Sequence, residues 1–136
     1  MIINDFIYYA SENGGENAYT KRKIRDPNSW YHIVEQYDTT QSTASDRIKI
    51  FVNGSRDTTL GGSSFPGENS VMSSVNTNSR SQQIGKYVPG YSRYFNGYMA
   101  DFHMIDGQAL DASYFGETKN GIWIPKKYED NGTTSH

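Results

Sequence analysis

Cysteine is absent from the 136 residues. Disulfide staples, thiol nucleophiles and cysteine-bound zinc are thereby excluded, and stability has to come from packing, partners or ions. Leucine is nearly absent too, with Leu60 and Leu110 the only ones, which disfavours a helix-rich fold. No apolar run reaches the roughly 18 residues that a membrane-spanning helix requires. The amino end, Met1-Ile2-Ile3-Asn4-Asp5, has neither a charged start nor a long apolar stretch, so it does not read as a secretion signal. There is no basic stripe, and the net charge is −2, so nucleic-acid binding has no electrostatic support.

What is present is aromatic and β-forming. Aromatic residues make up 14% of the chain, with 11 tyrosines, and 13 glycines together with many Ser, Thr and Asn residues supply turns. The clearest segment is Arg47-Ile48-Lys49-Ile50-Phe51-Val52-Asn53-Gly54. Ile48, Ile50 and Val52 fall on one face, Arg47, Lys49 and Phe51 on the other, and Asn-Gly is a strong hairpin signal. A second alternation, at 98–105, puts Tyr98, Ala100, Phe102 and Met104 on one face. Together they predict an all-β, antiparallel β-sandwich of one domain over 5–128, with a tail at 129–136.

Further strands are expected at 5–10, 18–24 and 30–37, with short ones at 82–85 and, weakly, at 70–75. The stretch 56–78 reads as a long Gly/Ser/Asn-rich loop and 86–96 as a tyrosine-rich one. One helical turn is expected at 110–115, capped by Asp111 or Ser113. No repeat of fixed period is visible.

Three runs then resemble a known family: Arg25-Asp26-Pro27-Asn28-Ser29-Trp30-Tyr31-His32-Ile33-Val34, the strand ending at Asn53-Gly54, and Phe95-Asn96-Gly97-Tyr98-Met99-Ala100-Asp101-Phe102-His103-Met104-Ile105-Asp106-Gly107-Gln108-Ala109-Leu110. With Phe115-Gly116-Glu117 and Gly121-Ile122-Trp123-Ile124-Pro125-Lys126, the chain resembles laminin-G-like, concanavalin-A-like jelly rolls. Within that family it looks like a branch common in structural and tail-fibre proteins of tailed bacteriophages, especially marine phages. The resemblance covers 25–54 and 83–128. It implies two packed sheets, a place on the virion after synthesis in the host cytoplasm, and contacts with other virion proteins, with copies of itself or with a host-surface glycan. It also implies strands before Asp5 and after the Trp-x-Pro-Lys motif, so the jelly roll is expected to lack strands at both ends, with a neighbouring chain covering the open edges. A reduced sandwich closing on fewer strands is the alternative.

Binding residues are sought first in the aromatic and Arg-containing loop at 86–96, because such composition marks contact hot spots. Tyr87, Tyr91, Arg93 and Tyr94 are the candidates there, against the reading that the loop folds over the sandwich end. Trp123 is added as a possible sugar-stacking ring, although packing is the expected role for both Trp30 and Trp123. His32 and His103 lack metal-ligand spacing and are expected to bond neighbours within the sheet. Calcium would need several oxygens; Asp38, Asp46, Asp57 and Asp106 lie near strand ends, but turn capping is the plainer role. Glycosidase chemistry needs two facing carboxylates, and Glu35 with Asp38, or Asp101 with Asp106, fall on opposite faces. No nucleophile elbow or phosphate-binding loop is present. Asn53-Gly54-Ser55 and Asn131-Gly132-Thr133 match the glycosylation triplet but read as turns. The expected function is therefore a non-enzymatic virion structural or attachment domain, needing no cofactor. A stand-alone lectin is the alternative, and a glycan-cleaving enzyme a lesser one.

Overall fold

The computed structural model describes residues 2–3, 5–10, 16–72, 75, 84–87 and 93–129. Strands β1 (Ile2–Ile3), β2 (Phe6–Ala10) and β3 (Asn17–Tyr19) come first, then β4 (Ile33–Tyr37), β5 (Ile48–Val52), β6 (Ser55–Arg56) and β7 (Gly61–Ser64). Two hairpins follow, β8 (Lys86–Tyr87) with β9 (Arg93–Tyr94), and β10 (Gly116–Lys119) with β11 (Ile122–Pro125). One antiparallel sheet has the order β1-β2-β3-β7 and a second the order β4-β5-β6.

The two sheets face each other across the core. Ile7, Tyr9 and Ala18 come from the first; Ile48, Ile50 and Val52 come from β5 of the second. Strand β5 shows the expected alternation: Ile48, Ile50 and Val52 are fully buried, Lys49 and Phe51 only partly so. Leu60 touches both halves of this core, and Ile24, Tyr31, Tyr37, Phe65 and Met72 close its margins. Asn53 and Gly54 carry φ of 49° and 74°, so β5 and β6 are joined by the two-residue turn that Asn-Gly favours. Tyr37 donates its phenol to Glu35 on the same strand face, and burial followed by the adjacent carboxylate pushes that phenol well above its usual range.

Arg47 departs from the pattern of its strand. It is buried, not set on the wet face. Its guanidinium donates to the carbonyls of Gln41 (2.7 Å), Pro66 (2.9 Å) and Ser42 (3.0 Å) and pairs with Glu68 at 3.3 Å. Located where β5 begins, it ties the loop before that strand to the loop after β7. Planar geometry with several donors allows one side chain to hold so many acceptors.

Other expectations are corrected. The strand in the 56–78 stretch is β7 at Gly61–Ser64; of the strand expected at 70–75, residues 70–72 and 75 are not in a strand, and residues 73 and 74 lie outside the described residues. Glycine explains it: a Cβ at Gly61 would lie 2.4 Å from the Tyr19 ring, so only a bare backbone can pair with β3 there. Gly62, at φ +84°, accompanies the register shift of that pairing. Strand β3 ends at Tyr19 rather than Ile24, because the next side chain, Thr20, turns inward: its hydroxyl accepts from Ile7 N–H and donates to the Arg22 carbonyl. Strand β4 starts at Ile33, not Trp30, and Trp30 is 68% exposed beyond the Asp26–Ser29 turn instead of packed. Of the strand expected at 82–85, residues 82 and 83 lie outside the described residues and Ile84 and Gly85 form a bend; pairing starts at Lys86, so part of the 86–96 loop is the β8–β9 hairpin.

The largest correction concerns 98–105. This segment is no strand, and Tyr98, Ala100, Phe102 and Met104 are exposed rather than in the core. Asp101 sits at φ +51°, which interrupts the extended run on which the alternation depends. No described strand pairs with the segment, so its apolar side chains have no second wall to face. The turn at Ala112–Tyr114 is as expected: it is a 3-10 turn whose cap, Asp111, accepts from the N–H and the hydroxyl of Ser113. Nearly all of the expected tail at 129–136 lies outside the described residues.

These contacts rank the side chains of β5. Replacing Arg47 with alanine strands three carbonyls and a carboxylate, and is expected to cost about 3 kcal/mol or more. Lys49→Ala, on the outer face, is expected to stay within about 0.5 kcal/mol. Urea unfolding midpoints of the two variants check the order.

Candidate functional site

The β8–β9 hairpin opens the most exposed apolar stretch of the described chain. Its register pairs Lys86 with Tyr94 and Tyr87 with Arg93, and Phe95 N–H extends the ladder to the Gly85 carbonyl at 2.8 Å. Three of the four residues sought in this loop thus come together on one hairpin, whereas Tyr91 lies outside the described residues. Tyr94 is 68% exposed, and the Lys86 ammonium stands 5.5 Å from its ring centroid, a cation over a π face. Beyond it Phe95, Tyr98, Met99, Phe102 and Met104 are all exposed, Tyr98 at 87% and Phe102 at 60%. Met99 lies against Gly85: a Cβ there would come within 2.8 Å of its methyl carbon. The hairpin and the apolar run therefore form one continuous surface, larger in aromatic and methionine content than scattered surface residues produce.

Trp123 does not join that surface. It belongs to β11, and its indole seats on two glycines. A Cβ at Gly54 would fall 2.3 Å from the ring, and one at Gly116 would fall 2.5 Å from it. Its Nε1–H donates to His32 Nδ1 at 3.2 Å, with the two rings tilted at 5.8 Å. The packing role expected for Trp123 is the one observed; His32, expected to bond within its sheet, lies just before β4 and bonds across to the separate β10–β11 hairpin. Desolvation, then repulsion from His103, lowers the pKa of His32 below its ordinary 6.5. His103 in turn packs against Phe115 (5.8 Å) and Tyr128 (5.9 Å).

The loop aspartates act as turn caps. Asp38 accepts from Thr40 N–H, the Thr40 hydroxyl and Gln41, and these bonds hold its carboxyl below the usual range. Asp57 accepts from the N–H groups of Lys21, Arg22 and Thr59, and Asp46 pairs with Arg56. Among the described residues no group of three or more His, Cys, Asp or Glu could hold a metal ion. A cavity of about 210 Å³ lies beside Asp57, with Lys21, Arg56, Thr59, Leu60 and Phe65 in its wall. Arg56 is paired with Asp46, and the Asp57 carboxylate is already occupied by backbone N–H groups. No helix among the described residues is long and apolar enough to cross a membrane.

Two features were missed from sequence. Asn120-Gly121, with φ of 51° and 77°, builds the β10–β11 turn and repeats the signal read at Asn53-Gly54. The glycine seat under Trp123 carried no local signal, because Gly54 and Gly116 are distant in sequence. It makes a prediction: Gly116→Ala is expected to destabilise the fold by about 1–3 kcal/mol through overpacking, and to shift the emission of Trp123 in a Trp30→Phe background. Thermal unfolding and fluorescence together check it.

A family model described as the concanavalin A-like lectin/glucanases superfamily, of laminin-G type, matches residues 4–113. That span contains β2 to β9 and the exposed run; β1 lies before it and β10 and β11 after it. No curated protein and no solved structure matches the chain. With two antiparallel sheets enclosing one core and a match over most of its length, the chain belongs to the laminin-G-type concanavalin A-like lectin/glucanase superfamily.

Proposed function

We propose that this domain is a non-enzymatic structural and attachment module of a bacteriophage virion, and that it works by docking its exposed aromatic run on a protein surface. The observation that carries the reading is the continuous stretch from Tyr94 to Met104, in which Tyr94, Phe95, Tyr98, Met99, Phe102 and Met104 all face solvent. Isolated apolar residues are ordinary on a surface; an aromatic and methionine-rich patch is the composition of interface hot spots. The virion setting is supported by the motif runs at 83–128, which resemble phage appendage proteins. Absence of catalysis is supported by the acids: Asp38, Asp46 and Asp57 are engaged in turns and ion pairs, with none left as a facing pair.

Protein rather than glycan is favoured as the partner because of Lys86. A cation already covers one face of Tyr94, the one candidate tyrosine of the loop whose side chain is described. Sugars stack on free ring faces, whereas protein interfaces accept Lys-covered tyrosines at their rim. The partner is another virion component or a second copy of this chain.

The test replaces Tyr98 and Phe102 together with serine. Both are exposed, so folding is expected to be retained within about 0.5 kcal/mol. Light scattering of the purified chain, and co-sedimentation with virion proteins, are expected to lose association in the variant. Retained association would overturn the reading, and so would a glycan array on which the wild type binds and the variant does not, which would establish the lectin alternative.

A further inference from the structure

We infer that His32 and Trp123 form an acid-sensitive clasp that fastens the β10–β11 hairpin to the second sheet and opens when His32 takes up a proton. The geometry fixes the chemistry. Indole Nε1–H is a donor only, so His32 Nδ1 has to be the unprotonated, accepting nitrogen, and the ring proton sits on Nε2. Protonation places an N–H opposite an N–H, and the bond becomes a repulsion. No other hydrogen bond of the Trp123 side chain replaces it among the described residues, and the ring cannot sink deeper, because the two glycine backbones already stand against it.

The surroundings push in the same direction. His103, the charged group that acts on His32 from the 98–105 segment, is held in place by Phe115 and Tyr128, which stack on each other at the open end of the hairpin. The turn between β5 and β6 offers no countercharge: Asn53 accepts from the backbone N–H of His32 through its side chain. Arg22 donates to the Val52 carbonyl near the same turn. On its own stretch, Asp26 is bonded to Ser29 and Asn28, and Glu35 is bonded to Tyr37. On the hairpin, Glu117 and Lys119 pair with each other on the face opposite Trp123, whose cross-strand neighbour is Thr118. Asp26 and Glu117 thus have partners of their own, and His103 is the charged group that acts on the His32 imidazole.

The sign follows. A histidine whose closed-state pKa lies below its open-state value of 6.5 favours the neutral, clasped form. Clasping is complete above 6.5, weakens as pH falls, and has lost this contribution once pH passes the closed-state value. One proton taken up on opening increases the open fraction by up to about tenfold per pH unit within that window.

The experiment is a titration of the intact chain by NMR, following the His32 imidazole, the Trp123 indole N–H and the Thr118 amide. The expected result is a His32 midpoint below 6.5, with the Trp123 and Thr118 signals moving at that same midpoint. His103→Gln is expected to raise the midpoint, because it removes the repelling charge. Trp123→Phe retains the ring but not the donor, and is expected to abolish the pH response of Thr118. A Trp123 indole signal that stays constant while His32 titrates would overturn the clasp, as would a Thr118 response that survives in Trp123→Phe.

Discussion

The fold rests on one facing contact: Ile48, Ile50 and Val52 of β5 against Ile7, Tyr9 and Ala18 of β2 and β3. Every other arrangement answers to it. With a core this small, the hydrophobic term has little surplus over chain entropy, so the ends of the sandwich need polar pins. Arg47 supplies one where β5 begins, binding loops on either side through their carbonyls. Trp123 supplies the other where β5 ends, seated on the turn that leaves it. Both pins act on loops that the core itself does not reach.

Legibility in the sequence tracked how local the determining contact was. Strand β5 and its turn were readable because alternation and Asn-Gly are encoded within eight residues, and the Asp111 cap because capping spans three. Strand β7 was not readable: glycine looked like loop, and its pairing depends on the Tyr19 ring some forty positions earlier. Arg47 fell on the outer side of its strand by counting, yet is buried because carbonyls of the preceding loop, Gln41 and Ser42, converge on it with that of the more distant Pro66. The 56–78 stretch misled for the same reason: its composition described turns correctly but could not tell which turn flanked a strand.

The 98–105 segment shows the opposite failure. Its alternation is as regular as that of β5, yet it forms no strand, because periodicity states which side chains share a face and not whether another strand stands beside them. Gln36 reaches from β4 to the Ala109 carbonyl, so the far end of the run is tethered to the outer edge of the second sheet. Between that tether and the hairpin at Tyr94, the run crosses the surface with Asp101 turned out of the extended region. Local pattern and global fold disagree here more than anywhere else in the chain. Natural sequences tend to carry such conflict where function outweighs stability.

That conflict bears directly on the proposed docking surface. A run of aromatic and methionine side chains left in water weakens solubility, and nothing in the two sheets requires it: the core closes on β2, β3 and β5 without Phe102 or Tyr98. The proposed docking would cover it with a partner's surface. The clasp at Trp123 lies at the other end of the same segment, since His103 belongs to the run and also touches Phe115 and Tyr128 beside the hairpin. On the proposed reading, a partner seated on 98–105 would also change the surroundings of His103, which acts on His32. The two proposals thus meet at one residue, His103, which belongs to the exposed run and acts on His32.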